Sequence, residues 1–338
     1  MSNTRMSHAA PTKNSDAASQ TRLLAHLVLL REFDLRCEKL WTGGEPLVGE
    51  FHLSLGQEGF TVGTCGGIQD DDLICPSIRG LGVYLCRGVP MEQLFASFLE
   101  RQGSISEGRW AHWHSPWAKS NILPQTGMLG AGLVMAGGVA LAQKIKKTGK
   151  VVVGMLGDGA TNTGYFHEGV NFAAVKELPL VIVIENNQIA VSTSIRDAAR
   201  IEDLSARAAS YGIPGETVDG VDTVAVQHAV AAAAQRARSG GGATLLELKA
   251  YRWGGQTLKD PNRGRSEQEL QASRQRCPIA LLRHDMESQG LLDAARFDRI
   301  VADARGRIDT AEKTARSYAM LPANKSTPLD GLMSVYAS

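Results

Sequence analysis

Residues 151–188 have the sequence VVVGMLGDGATNTGYFHEGVNFAAVKELPLVIVIENNQ, and this stretch decides the fold. Its two ends, 151–156 and 178–185, are continuous apolar runs rich in β-branched residues. The segment 165–177 between them has helical periodicity. Strands that are apolar on both faces are typical of parallel sheets covered by helices, so the stretch predicts a βαβ unit.

The same alternation continues towards the carboxyl terminus. A helix is predicted over 224–238, and residues 243–251, ATLLELKAY, predict a third buried strand. The fold class is therefore α/β with an open, doubly wound parallel sheet. Residues 21–338 are expected to form a single domain that ends in a charged helical extension after Ser266. Residues 1–20 are small and polar and predict a disordered tail, although an organelle transit peptide also fits their composition.

Composition excludes several classes of protein. The 338 residues are 43% hydrophobic and 21% charged, with a formal net charge of +1, as in a globular protein with an ample core. No basic stripe and no apolar run of roughly 20 residues occurs, which argues against nucleic-acid binding and membrane insertion. The five cysteines show no CxxC spacing, which argues against a disulfide framework or a zinc site. We expect a reducing compartment, the cytoplasm, or an organelle matrix if the tail is a transit peptide.

Polar residues follow both strands of the βαβ unit. One strand ends in Gly157-Asp158-Gly159 and the other in Glu185 to Gln188. Parallel strands of a right-handed unit end at one edge of the sheet, where ligands of such sheets bind. A carboxylate, an amide and glycines that let backbone approach a phosphate suit Mg²⁺ with a diphosphate, and the N-terminus of the 165–177 helix would add N–H donors. Taken singly, each element is also an ordinary turn.

The two elements together resemble the thiamine diphosphate motif, in which a second Asn follows the GDG aspartate by about this spacing, from position 158 to position 187. The chain resembles the alpha subunit of the first component of 2-oxo acid dehydrogenase complexes, the family of the pyruvate, branched-chain 2-oxo acid and acetoin enzymes. The resemblance covers almost all of 23–336 and includes HLSLGQEGFTVG (52–63), YGIPGETVDGVD (211–222) and ATLLELKAYR (243–252). It implies the thiamine diphosphate-binding fold.

The resemblance implies a role for each matching residue. Asp158 and Asn187 would bind Mg²⁺ through their side chains, and Ile189 through its backbone carbonyl. Arg79 would bind the diphosphate of the cofactor. The remaining cofactor contacts are implied for the backbone and side chains of Gly127, Leu129, Gly157, Gly159, Ala160 and Asn162. The first two would lie against the aminopyrimidine ring, where Leu129 could help hold the cofactor bent.

Two family histidines are replaced in this sequence. Leu81 stands where the family has an active-site histidine, and Gln256 replaces the histidine of a cofactor-covering loop. Gln256 keeps hydrogen bonding but not proton transfer. His114 falls on a family histidine and is the remaining catalytic candidate, although an ordered loop contact is the favoured explanation of this histidine. The neighbouring Trp110, Trp113 and Trp117 predict a packed lid or subunit interface, with an aromatic substrate pocket as the alternative.

The implied function is decarboxylation of a 2-oxo acid, or cleavage of a related ketone, followed by acyl transfer to an acceptor such as a lipoyl group. The resemblance implies a beta subunit, an alpha2beta2 heterotetramer and a lipoyl acyltransferase partner. Two alternatives remain open. One is a two-chain carboligase of a biosynthetic pathway without a lipoyl partner, and the other is a non-catalytic cofactor-binding scaffold. A nicotinamide dehydrogenase is excluded because no GxGxxG opens a helix after the first strand.

Overall fold

A computed structural model describes residues 13–109, 114–260 and 265–322. Five strands form one sheet, and two short ones form a hairpin. In chain order they are β1 (Leu73–Cys75), β2 (Val152–Gly157), β3 (Leu180–Asn186), β4 (Ile189–Ala190), β5 (Thr193–Ser194), β6 (Gly215–Asp219) and β7 (Thr244–Lys249). The large sheet has the order β1-β2-β3-β7-β6, and every neighbouring pair in it is parallel.

Helices cover both faces of this sheet, as expected of a doubly wound fold. They are α1 (Lys13–Thr42), α2 (Glu58–Gly66), α3 (Leu81–Cys86), α4 (Met91–Phe98), α5 (Ala131–Lys146), α6 (Gly164–Val175), α7 (Ile195–Ala198), α8 (Thr223–Arg238), α9 (Glu267–Arg274), α10 (Pro278–Ser288) and α11 (Ala294–Ser317). One apolar core lies under α5 and α6, and a larger one lies under α1, α2, α4, α8 and α11. The α/β prediction is confirmed.

The predicted βαβ unit consists of β2, α6 and β3. Both strands are buried along almost their whole length, which is why their sequences are apolar without alternation. Helix α6 begins after Thr163, whose hydroxyl accepts a hydrogen bond from the Phe166 N–H. Gly154 allows β2 to approach α5 closely, because a methyl group there would lie 3.2 Å from the Cβ of Ala136.

The position of the later strands was not predicted. Strand β7 confirms the third buried strand and pairs directly with β3. Strand β6 lies at the sheet edge beyond β7, so the β6–α8–β7 connection returns towards the middle of the sheet. Strand β1 occupies the other edge, within a stretch predicted as loops and short helices. Its three residues are too few to show a period-2 pattern.

Helix α2 packs unusually closely on α8 through small residues. Gly59, Gly63 and Gly67 follow one another at intervals of four, and side chains at those positions would overlap residues of the α8 region. At Gly59 the overlapped group is the backbone carbonyl of Gly220. This contact sets the position of Gln57, the residue that precedes α2, and hence one wall of the candidate site.

The amino-terminal boundary differs from the prediction. Helix α1 begins at Lys13, so residues 13–20 are helical rather than part of a disordered tail; residues 1–12 lie outside the described residues. Gln20 is buried and Ser19 hydrogen-bonds Gln227 of α8, so tertiary contacts extend the helix beyond its apolar periodicity. Within the described ranges no helix is long and apolar enough to cross a membrane.

The α2–α8 packing predicts a difference between two glycine substitutions. Gly59→Ala should lower the free energy of unfolding by about 1–3 kcal/mol, because the added methyl overlaps backbone that cannot move aside. Gly306→Ala, within α11 with open space around the position, should raise it by about 0.5–1 kcal/mol through helix propensity. Thermal melting of both variants beside wild type measures the difference, and equal effects would contradict the close packing.

Candidate active site

A cleft opens at the carboxyl ends of β2 and β3. Gly157 pairs in register with Glu185, so the residues that follow the two strands share one edge of the sheet. The cleft has a cavity volume of about 100 Å³ and opens to solvent on one side. Of the predicted site residues, nine line it: Arg79, Leu129, Gly157, Asp158, Gly159, Ala160, Asn187, Ile189 and Gln256.

Asp158 is the carboxylate of this cleft and is almost fully buried. Its Oδ1 accepts a hydrogen bond from the Gly159 N–H at 2.8 Å, whereas its Oδ2 has no partner among the described residues. Burial raises the pKa of the carboxyl to about 6, although the Gly159 N–H and the guanidinium of Arg252 lower it. A buried oxygen without a hydrogen-bond partner is costly, and a bound cation would satisfy it.

Asn187 lies beside Asp158 with its side chain held from α2. Its Nδ2 donates to Gln57 Oε1 at 2.9 Å, and its Oδ1 accepts a long hydrogen bond of 3.4 Å from the Ile189 N–H and keeps a second lone pair. The Ile189 carbonyl accepts a long hydrogen bond of 3.4 Å from Arg252 and keeps a second lone pair for a ligand. No group of three or more Asp, Glu, His or Cys that could hold a metal occurs in the described chain, so a cation here would need non-protein oxygens.

Two buried arginines meet at Gln256 beside these residues. The Oε1 of Gln256 accepts hydrogen bonds from Arg79 Nη2 at 2.9 Å and from Arg252 Nη1. Arg79 also donates to the Leu53 carbonyl at 2.9 Å. Burial, followed by repulsion from Arg252, lowers the pKa of Arg79 to about 9, so Arg79 is charged at neutral pH. Arg79 lines the cleft and Arg252 lies behind Gln256, and two desolvated positive charges this close together favour binding of an anion such as a diphosphate.

The histidines of the site are His52 and His114. His52 donates from Nδ1 to the Gln256 carbonyl at 2.8 Å, and burial, with help from Arg79, lowers its pKa to about 4. It is therefore neutral at pH 7, with Nε2 as an acceptor. His114 bonds the Gln125 carbonyl through Nδ1 at 2.9 Å and lies close enough to lower the pKa of His52. His52 thus contacts the backbone of Gln256, a residue that lines the cleft, whereas His114 lines a hollow beside it.

Several predicted residues lie beside the main cleft instead of in it. Gly127 lines a neighbouring open hollow together with His114. Asn162 is exposed, and its side chain bonds the Ala198 carbonyl and Arg207, so its role in the diphosphate pocket stays a prediction. The backbone at the cleft comes from the 3-10 turn Asp158–Asn162, which separates β2 from α6, and not from the N-terminus of α6 as we expected.

Leu81, which replaces a family histidine, and the aromatic residue Trp117 both pack in or against the protein core. Leu81 is buried in the apolar core at the start of α3. Trp117 is half-buried against the same core, and its backbone exchanges hydrogen bonds with Ile122. Trp110 and Trp113 lie outside the described residues, so the prediction of an aromatic lid or pocket is not tested.

Sequence reasoning missed four polar groups of the site. Arg252 follows β7, and no motif in its vicinity marks it as buried. Glu185 lines the cleft, and burial raises its pKa while a hydrogen bond from Ser77 lowers it. His52 and Gln57 belong to the stretch 52–63 quoted for the family resemblance, from which no site role was predicted for either residue. The position of Glu185 at the end of a predicted strand was the one usable signal.

Comparison with known proteins agrees with this geometry. The family model described as "Dehydrogenase E1 component" matches residues 25–324. The chain belongs to the dehydrogenase E1 component family. This E1 component is 38% identical over 223 residues to the alpha subunit of acetoin:2,6-dichlorophenolindophenol oxidoreductase from Bacillus subtilis, covering 66% of the chain and 67% of the relative.

Relatives with longer matches include enzymes named for two substrates. Identity to the acetoin:2,6-dichlorophenolindophenol oxidoreductase alpha subunit of Cupriavidus necator is 33% over 310 residues, 91% of each chain. Identity to the pyruvate dehydrogenase E1 component alpha subunit of Rhizobium meliloti is 31% over 293 residues, 86% of this chain and 84% of the relative. Enzymes of the E1 family depend on thiamine diphosphate and decarboxylate 2-oxo acids or cleave ketones. The subunit names imply a beta partner.

Asp34 of α1 fixes the loop that holds Arg79 in the cleft of this E1 component. It is fully buried, and its Oδ2 accepts a hydrogen bond from the Ser54 N–H at 2.6 Å. The loop fixed in this way carries the Leu53 carbonyl that binds Arg79, and Ser54 Oγ donates to the Arg79 carbonyl. Burial raises the pKa of Asp34 to about 8, and the carboxylate of Glu58 adds to the effect.

The raised pKa of Asp34 predicts a pH dependence of stability. Between about pH 4 and pH 8 the folded state holds a proton that the unfolded state has lost, so the free energy of unfolding should fall as pH rises through this window. The slope for one proton is at most about 1.4 kcal/mol per pH unit. Asp34→Asn should remove this contribution, whereas Asp203→Asn, an exposed control, should keep it. Melting curves at several pH values measure it; parallel behaviour of all three proteins would contradict the buried neutral carboxyl.

Proposed function

We propose that this chain is the alpha subunit of a thiamine diphosphate- and Mg²⁺-dependent enzyme. The enzyme decarboxylates a 2-oxo acid, or cleaves a related ketone, and transfers the acyl unit to an acceptor such as a lipoyl group. The observation that carries the proposal is the buried Oδ2 of Asp158, which has no partner among the described residues and lies beside Asn187 and Arg79.

The residues of the cleft fit a magnesium diphosphate. Asp158, the Asn187 amide oxygen and the Ile189 carbonyl would hold Mg²⁺, whose remaining ligands would be diphosphate oxygens and water. Gly157 faces open space, since a methyl group there would meet no atom within 4 Å, and so leaves room for a phosphate. The bound cofactor would supply the electron sink for cleavage of the carbon–carbon bond.

The two arginines would neutralise the charge of the diphosphate. Arg79 is fixed by the Leu53 carbonyl and Arg252 by the Val191 carbonyl at 2.9 Å, so both guanidinium groups are ordered before a ligand arrives. In the ligand-free chain their shared acceptor is the Gln256 side chain. Gln256 can turn towards the cofactor and keep a hydrogen bond to it, but it cannot transfer a proton. His52 and His114 are the groups near the mouth that can.

The beta partner would cover the mouth of the cleft. Met128, Leu129 and Val191 are more than half exposed at this mouth, and Val134 and Met135 continue the apolar surface along α5. Large apolar side chains grouped beside a polar cleft are typical of a protein interface. Leu129 could therefore hold the cofactor only when a partner closes this side, which supports an alpha2beta2 assembly that is inactive as separated chains.

The relatives support a class of acyl acceptor and a compartment. The pyruvate dehydrogenase names support a lipoyl acyltransferase partner, and the acetoin oxidoreductase names support cleavage of a hydroxyketone at the same site. The bacterial relatives support a cytoplasmic location, with an organelle matrix as the alternative because mitochondrial relatives also match.

Cofactor binding by the assembled complex tests the proposal. Calorimetry of thiamine diphosphate should show binding that requires Mg²⁺. Asp158→Ala should weaken it by more than about 100-fold, because changes around a metal ligand alone cost about 10–100-fold. Asp203→Asn, a surface carboxylate at the same edge of the sheet, should bind as wild type does. Reduction of 2,6-dichlorophenolindophenol with pyruvate, longer 2-oxo acids and acetoin then identifies the substrate.

Two results would contradict the proposal. Absence of thiamine diphosphate binding by a folded complex would exclude the cofactor role and leave the scaffold alternative. Undiminished binding by Asp158→Ala would show that the carboxylate does not hold the metal.

Gln256→Glu should affect stability and cofactor binding in opposite directions. A carboxylate between Arg79 and Arg252 would stabilise the cofactor-free protein and raise its melting temperature. The same charge would repel the diphosphate by on the order of 1–4 kcal/mol, a loss of about tenfold or more in affinity. Gln235→Glu on the exposed face of α8 carries the same charge change and should alter neither quantity. Tighter cofactor binding by Gln256→Glu would show that the arginines do not receive the diphosphate.

A further inference from the structure

Two thiols outside the cleft lie on neighbouring helices. Cys65 is in the last turn of α2, and Cys86 is the last residue of α3. Both are half-buried, whereas Cys37 and Cys75 are buried in the core. A small solute can therefore reach the first pair.

The packing of the two helices brings these thiols together. A methyl group added at Gly82 of α3 would lie 2.9 Å from the Cγ2 of Thr61 in α2, so the helices touch at this level. Cys65 lies four residues after Thr61, and Cys86 lies four residues after Gly82. Because residues four apart share one face of a helix, the two thiols meet one turn further along the same contact. Arg87, which follows Cys86, bonds the carbonyl groups of Asp70 and Asp72, which follow α2, so the carboxyl ends of the two helices lie side by side.

The surroundings distinguish the two sulfur atoms. The interaction between the two thiols lowers the pKa of Cys65 and raises that of Cys86. The Arg87 guanidinium also favours the Cys65 thiolate. It is held in place by the carbonyl groups of Asp70, at 2.7 Å, and Asp72, at 3.2 Å. Cys65 is thus the nucleophile of the pair, and Cys86 is the thiol that can react with oxidised Cys65.

We propose that Cys65 and Cys86 form a site of reversible oxidation by hydroperoxides. The Cys65 thiolate attacks one oxygen of hydrogen peroxide and, with one proton, gives a sulfenic acid and water. The Cys86 thiol then attacks the Cys65 sulfur, its proton leaves with the hydroxyl as a second water, and a disulfide forms. The peroxide accepts the two electrons that the thiols lose. The second step protects Cys65 from irreversible oxidation to sulfinic acid.

This site is separate from the proposed cofactor chemistry, but it joins two helices that begin at the cleft. Gln57 precedes α2 and holds Asn187, and Arg79 lies two residues before α3. A disulfide between the far ends of these helices would restrain both in their present positions. The disulfide should form with little change of the backbone, because the two helices already touch one turn earlier.

Mass spectrometry of the intact complex after brief treatment with hydrogen peroxide tests the proposal. Wild type should lose about 2 Da from this chain, the mass of two thiol hydrogens, and dithiothreitol should restore it. Peptide mapping without reduction should show Cys65 linked to Cys86. Cys86→Ser should instead gain about 32 Da at Cys65, a sulfinic acid that dithiothreitol does not reverse.

Two further variants complete the design. Cys65→Ser should show neither the loss of mass nor oxidation of Cys86, since the nucleophile is gone. Cys277→Ser should behave as wild type, because Cys277 is also half-buried and contacts a guanidinium, that of Arg31, but is not part of the pair. The proposal is overturned if wild type accumulates sulfinic acid at Cys65, if the disulfide involves another cysteine, or if Cys65 stays reduced when Cys277 is oxidised.

Discussion

The site depends on the in-register parallel pairing of β2 with β3. Because Gly157 lies opposite Glu185, the turn that carries Asp158 and the one that carries Asn187 leave the sheet side by side. A shift of one residue would turn every side chain of a strand to the opposite face and separate these groups. The register is held by apolar side chains buried on both faces of both strands, so the same burial that stabilises the sheet also positions the polar residues at its edge.

The polar edge is electrostatically costly in the absence of a ligand. Asp158, Glu185, Arg79 and Arg252 are all removed from water, and burial is the largest cause of each pKa shift. The charges are not arranged as tight ion pairs. The guanidinium groups are bound mainly by carbonyl oxygens, and one carboxylate oxygen has no partner among the described residues. Such an arrangement is suited to receive a ligand with both a cation and an anion, because each would satisfy one half of the cleft.

Replacement of the two family histidines changes the groups near the mouth of the cleft more than the residues proposed to bind the cofactor. Leu81 is packed in the apolar core, where an imidazole would have to be buried. Gln256 accepts hydrogen bonds from both arginines. The imidazoles that remain are His52 and His114, and the first is neutral and bonded to the backbone of Gln256. Under the proposed function, any proton transfer by this chain beside the cleft would therefore fall to these two imidazoles.

The local sequence was enough to predict the βαβ unit, the third buried strand and the placement of Asp158 and Asn187 at one edge, because long apolar runs and chain direction are local properties. The family resemblance added Arg79 and Gln256, which lie far from those strands in the sequence. Only the tertiary structure showed that β7 lies beside β3, that Arg252 is buried against Gln256, and that Asp34 and Gln57 hold the two sides of the cleft. Apart from the Arg252–Gln256 contact, which spans four positions, these contacts join residues separated by 20 to 130 positions. These contacts are determined by tertiary packing, above all by the close approach of α2 to α8. The periodicity of the sequence does not indicate which helices will pack against each other.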